Sequence, residues 1–247
     1  MRTLFCFILP LAFLPFHFAS SQNAVPASRQ VQLRLLSFYA ESAMPELYAH
    51  NAQNSEKAVG VLAPLKSYLN HEFVTINLTS DSLRFSASAQ APTEEQTLAK
   101  VTLPAKGNQF MLVFFPGEKN GSFRVMALDD SRKAFPLGSF RVMNLARSNV
   151  RLTLETTNYD FAPGKEIIIE NPPVKDNNHS GMFCFAEISG KWQRIGSGLW
   201  PHPGTKRDVQ FFFENPQTQT IELRGFRDIS PPMESPPAVV KPSAVKP

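Results

Sequence analysis

The sequence predicts an all-β protein of two tandem antiparallel sandwich domains, and three observations lead there. Short apolar runs rich in β-branched and aromatic residues alternate with turn residues, with little sustained helical periodicity. Two hairpins are legible: Phe110–Phe115 turns through Asn120-Gly121 into Phe123–Leu128, and Phe183–Ile188 turns through Ser189-Gly190 into Lys191–Ile195. Both turn pairs supply the positive φ that a tight turn requires. Finally, the chain repeats itself. Arg34-Leu35-Leu36-Ser37-Phe38 matches Arg141-Val142-Met143-Asn144-Leu145 as an opening strand, and Phe115, Phe123 and Asp130 have the spacing of Phe213, Ile221 and Asp228 in a closing hairpin.

Taken in order, residues 1–21 read as a signal peptide. Arg2 precedes an apolar run, Leu4 to Phe18, and Ala19 and Ser21 place small side chains at positions −3 and −1 of a cut before Gln22. The run is shorter than the roughly 20 residues a helix needs to cross a bilayer, and Pro10 and Pro15 interrupt it, so an anchor is the lesser reading. The expectation is export, to the periplasm or the cell exterior, with no transmembrane helix after cleavage.

The first sandwich spans 29–130, a linker 131–137 and the second sandwich 138–229. Helix is conceivable only at Glu41–Ala49 and Val59–Tyr68, where Pro45 and Pro64 limit its length. The first unit is longer, with its surplus placed either in the polar Ser86–Gln96 loop or near Val59–Tyr68. Val150-Arg151-Leu152-Thr153-Leu154-Glu155 alternates, as suits a strand with one wet face, whereas Phe110–Phe115 and Val209–Phe213 are continuously apolar and belong in central positions. Most of the 21 phenylalanines are then core residues. An immunoglobulin-like or related Greek-key sandwich is the leading architecture, a single larger β-barrel the alternative. The segment 230–247 is proline-rich, lacks glycine and aromatic residues, and reads as a disordered tail that acts as a spacer or touches an anionic polymer.

The strand Ser139–Ala146 followed by Val150–Leu154 resembles the opening hairpin of uncharacterised bacterial secreted tandem β-sandwich proteins, and Arg34–Phe38 is a looser copy. The resemblance implies export and a sandwich fold and carries no catalytic residue across.

Composition narrows the function classes. After signal cleavage Cys184 is the only cysteine, so no disulfide is expected, and bacterial export fits better than a eukaryotic route. The formal charge of +4 is scattered rather than gathered into a stripe, which argues against a nucleic-acid partner.

A search for chemistry returns no catalytic residue, no metal site and no cofactor site. Gly196-Ser197-Gly198 lacks the spacing of a nucleophile elbow. Cys184 lies between two phenylalanines in a strand, where a thiol acts as a small apolar side chain. The nearest downstream histidine and methionine, His202 and Met233, do not form the compact ligand loop of a copper site. Glu94-Glu95 and Asp129-Asp130 read as a solvated loop and a turn cap. The most site-like stretch is 192–204, read as loop-rich, where Trp192, Arg194, Trp200 and His202 form a candidate ligand-binding set. The leading expectation is a non-enzymatic scaffold, adhesion or partner-binding module, its partner a protein or a polysaccharide. Carbohydrate recognition through Trp192 and Trp200 is one alternative. The other is a cryptic hydrolase, which needs a histidine within reach of Ser197 or Cys184.

Overall fold

The computed structural model describes residues 28–39, 44–51, 59–69 and 71–229. The signal peptide and the proline-rich tail read from the sequence lie outside the described residues. In chain order the strands are β1 (Arg29–Ser37), β2 (Tyr48–Asn51), β3 (Val61–Leu62), β4 (Leu65–Lys66), β5 (Val74–Leu78), β6 (Ser82–Ser86), β7 (Ala99–Thr102), β8 (Gln109–Pro116) and β9 (Phe123–Asp129). They continue as β10 (Ser139–Asn144), β11 (Val150–Leu154), β12 (Thr157–Phe161), β13 (Glu166–Glu170), β14 (His179–Ile188), β15 (Lys191–Pro201), β16 (Asp208–Glu214) and β17 (Ile221–Arg227).

There is no helix among the described residues, which corrects the reading of helix at 41–49 and 59–68. Those stretches form β2, β3 and β4, where Pro45 and Pro64 deny a helix its length and the Ala63 N–H donates to the Leu47 carbonyl at 2.7 Å. Residues 41–43 lie outside the described set.

The strands form four open sheets, none of them a barrel. In the first half β3-β2-β6-β7 is one sheet, and β4-β1-β8-β9, with β5 also on β1, is the other. In the second half the orders are β12-β11-β14-β15 and β13-β10-β16-β17. Corresponding strands follow the same rule: β1 runs parallel to β8 and antiparallel to β5, as β10 runs parallel to β16 and antiparallel to β13. The closing hairpins share a register, Phe115 facing Arg124 in one and Phe213 facing Glu222 in the other. The halves differ where β4 has no counterpart and where 87–98 joins β6 to β7, while Ser189-Gly190 alone joins β14 to β15. Ser189 and Gly190 both have positive φ, 51° and 72°, as a two-residue hairpin turn demands.

Side-chain alternation divides the apolar residues into three clusters. Val31, Leu33 and Leu35 of β1 and Phe110, Leu112 and Phe114 of β8 face Leu83, Phe85 and Val101 of the first sheet. Phe140 and Val142 of β10 and Phe212 of β16 face Val150, Leu152 and Cys184 of the β12-β11-β14-β15 sheet. The residues between them in sequence, Leu36, Met111, Val113, Met143, Val209, Phe211 and Phe213, point the other way into a third cluster shared by both halves. The two inner sheets are thus covered on both faces, and for that reason β8 and β16 are apolar at successive positions rather than alternate ones.

One end of this shared interface is closed by charge. Asp130 receives Arg34 through Nη2 at 2.8 Å and pairs with its Nε at 2.7 Å, while Arg207 Nη1 lies 3.1 Å from the same carboxylate. Asp228, its counterpart in the repeat, takes Arg207 at 3.0 Å and Arg34 at 3.3 Å. All four side chains are buried. Asp129 caps the following turn, accepting the Ser131 N–H at 2.9 Å, but Asp130 is a buried ion-pair partner, which corrects its reading as a turn cap. Phe135, in the 131–137 segment, is buried between the guanidinium groups of Arg141 and Arg207, 4.9 and 5.1 Å from its ring centre. Burial pulls the Arg141 pKa below its usual value, and Glu166 and the two neighbouring aspartates partly oppose this.

Candidate functional site

The outer face of the β12-β11-β14-β15 sheet is open, and its composition follows from strand parity. On β11 Val150, Leu152 and Leu154 point inward, leaving Arg151 and Thr153 outside. On β14 Cys184 and Ala186 point inward, so Phe183 and Phe185 stand outside, paired in register with Thr153 and Arg151. On β15 Arg194 pairs with Phe185 and Trp192 with Glu187. Trp192 and Phe183 are each 41% exposed, two large apolar side chains on one open face.

The polar groups of this face are held in place. Arg151 donates to Asp160 through Nε at 2.6 Å and Nη2 at 2.9 Å, and its Cζ lies 4.6 Å from the Trp192 ring centre, covering one side of the indole. The hydrogen bond between them raises the Arg151 pKa and lowers that of Asp160. The Thr153 hydroxyl donates to Asn158 Oδ1 at 2.7 Å, and Arg194 Cζ lies 5.9 Å from the Phe183 ring centre. Between these groups runs a shallow groove of about 250 Å³ lined by Arg151, Thr153, Asn158, Phe183, Phe185 and Trp192.

Of the four residues singled out from the sequence, Trp192 and Arg194 lie on this face. Trp200 is 4% exposed and packs edge-on against Phe140 at 4.7 Å on the opposite side of the sheet. His202 lies past the end of β15, where Nδ1 accepts the Gly204 N–H at 2.9 Å. The stretch is not loop-rich, because Lys191–Pro201 is one strand. Its parity is broken by a bulge: Phe185 pairs with Arg194 but Cys184 with Gly196, leaving Ile195 as the extra residue. Without it Trp192 and Trp200 would share a face; with it they point to opposite faces. The sequence reading missed Phe183 and Phe185, although the wet face it assigned to Arg151 and Thr153 is the face these rings join.

The four described histidines find partners other than Ser197 or Cys184, or none. His50 Nε2 lies 3.0 Å from Ser86 Oγ and 3.1 Å from the Ser88 carbonyl. A carbonyl can only accept, so Nε2 carries the proton and is no base toward Ser86, whose own hydroxyl donates to Ser88 at 2.8 Å. Burial lowers the His50 pKa. His179 Nδ1 bonds the Asn177 carbonyl at 2.7 Å. His71 is exposed. Burial pushes the Cys184 thiol up to about 12, so it holds no reactive thiolate at neutral pH. Among the described residues no group of three His, Cys, Asp or Glu side chains is placed to hold a metal ion. No family model matches the chain, and no curated protein matches it.

Proposed function

We propose that the chain is an exported, non-enzymatic partner-binding module of two tandem immunoglobulin-like Greek-key sandwiches, with the outer face of β12-β11-β14-β15 as its contact surface for a protein. The carrying observation is the exposure of Trp192 and Phe183 on an open sheet face, bracketed by the guanidinium groups of Arg151 and Arg194. Trp, Tyr and Arg are enriched among the side chains that anchor protein contacts, Trp for its large rigid surface and Arg for its planar guanidinium fork. Export rests on the apolar run from Leu4 to Phe18 and the small residues before Gln22.

The test is a photo-crosslinking residue placed at Glu187, beside Trp192, in the protein expressed in its own cells. A discrete adduct that disappears in Trp192→Ala, with the far-ultraviolet spectrum unchanged, supports the reading. Absence of any adduct from a folded, exported protein refutes it.

Carbohydrate recognition is the second reading, favoured by Thr153, Asn158 and Asp160 beside the Trp192 ring. It no longer involves Trp200. Acrylamide quenches exposed indoles, and relief of Trp192 quenching by one glycan of a cell-wall panel would select this reading over the first.

A further inference from the structure

The interface between the two inner sheets is closed at one end by the Arg34, Asp130, Arg207 and Asp228 cluster, and at the other end it opens. The C-terminal ends of β1, β8 and β16 and the residues just past β10 converge there around a cleft of about 600 Å³. That volume lies within the range of small-molecule sites, which favour junctions between packed units. Its walls are rings and a thioether: Phe38, Tyr39, Phe115, Met126 and Phe213. Phe38 and Phe213 are buried and fixed against each other at 4.9 Å, whereas Tyr39, Phe115 and Met126 keep part of their surface open.

The mouth carries two arginines and one glutamate. Arg124 stands on the same side of β9 as Met126 and Leu128, the side turned toward the second half, and it is exposed. Among the described residues its side chain makes no hydrogen bond or ion pair. Its counterpart in the repeat, Glu222, is satisfied within its own hairpin by Asn215 at 2.8 Å and Thr218 at 2.9 Å. Arg147, 93% exposed, adds a second guanidinium, but its Nε lies 3.9 Å from Glu214 Oε2, so Arg124 is the unmatched one. Among the described residues the one acid lining the cleft, Glu214, also accepts the Arg147 backbone N–H at 3.0 Å. An apolar, ring-lined cavity with unmatched guanidinium at its rim complements a flat apolar body that carries one carboxylate.

We propose that this cleft binds a small aromatic carboxylate, its ring against the open faces of Phe115 and Met126 and its carboxylate on Arg124. The site is separate from the outer sheet face and rests on no assumption about it.

The test uses 2-naphthoate and its neutral analogue 2-naphthylmethanol, titrated calorimetrically into the full-length protein. The expected result is saturable 1:1 binding of naphthoate, with the alcohol about tenfold weaker, as loss of one charge-assisted hydrogen bond implies. Arg124→Gln, a surface change that leaves the fold alone, should bring naphthoate down to the level of the alcohol and leave the alcohol unchanged. Leu145→Trp, which fills the cleft, should abolish both, and Trp192→Ala should affect neither. No saturation at millimolar naphthoate, equal affinity for acid and alcohol, or an affinity unmoved by Arg124→Gln overturns the proposal. Loss of binding in Trp192→Ala overturns it too, because the ligand then sits on the outer face.

Discussion

Asp130→Ala is expected to destabilise the half of the molecule to which Asp130 does not belong. Asp130 follows β9 in the first half, while Arg207, one of its two partners, immediately precedes β16 in the second. With the carboxylate gone, two buried guanidinium groups are left to share Asp228. Removing one partner of a buried pair costs about 3–5 kcal/mol, because the remaining charge stays desolvated without compensation. At a urea dependence of about 2–3 kcal/mol per molar, this moves the midpoint down by roughly 1–2.5 M. Trp192 and Trp200 both lie in the second half, so indole fluorescence reports that half while the substitution lies in the first. A second substitution, Arg34→Met, leaves Arg207 and Asp228 as a balanced pair and should recover part of the loss, which a double-mutant cycle reads as coupling. A tryptophan-detected midpoint within about 0.3 M of the parent would refute the reasoning, as would strictly additive effects in the cycle.

Other consequences follow from single sites. Burial raises the Asp208 carboxyl to about 6, so the folded chain keeps a proton that the unfolded chain releases from about pH 4 upward. The associated stability is fully present below about pH 4 and is lost as pH rises through 6, of the order of 3 kcal/mol in all. Asp208→Asn keeps an acceptor for the Gln210 amide, so it should be more stable than the parent at pH 7, with the gap closing by pH 4 in urea titrations. The Cys184 thiol should resist a soluble disulfide reagent in the native protein and react fully in denaturant; prompt native labelling would contradict its burial. Gly138 has φ of 75°, and an added Cβ would sit 2.8 Å from the Gly204 carbonyl oxygen, so Gly138→Ala should cost about 1–3 kcal/mol by thermal unfolding.

The parts of the fold that could be read in advance are those where local chemistry and burial agree. Ser189-Gly190 and Asn120-Gly121 mark hairpins because turn geometry restricts residue choice at those positions, and β8 and β16 stand out because both of their faces are covered. The all-β class follows from the same signals. The stretches around Pro45 and Pro64 were ambiguous for the opposite reason. β2, β3 and β4 are too short to display a period of two, and their conformation is set by partners elsewhere in the chain, such as Leu36 and Leu35 beside Lys66 and Leu65. The ion cluster was hidden likewise: Arg34 and Asp130 are far apart in sequence, and nothing local distinguishes Asp130 from Asp129.

The candidate site shows how a one-residue irregularity decides which face a side chain joins. Trp192, Arg194 and Trp200 are separated by even numbers of residues, which on a regular strand means a common face. The expectation of two tryptophans acting together rests on a loop-rich reading of 192–204, and Lys191–Pro201 is instead a strand. Ile195 breaks its regularity as the extra residue of the bulge, its side chain packed against the interior cluster, and reverses the parity of everything that follows. Trp200 therefore joins Phe140 in the core, and the free face is completed by Phe183 and Phe185 from the neighbouring strand. The bulge thus does two jobs from one insertion. It fills the interior of the second half with an indole, and it leaves a single tryptophan on an aromatic and cationic surface, where its exposure has no account in the packing of the sheet.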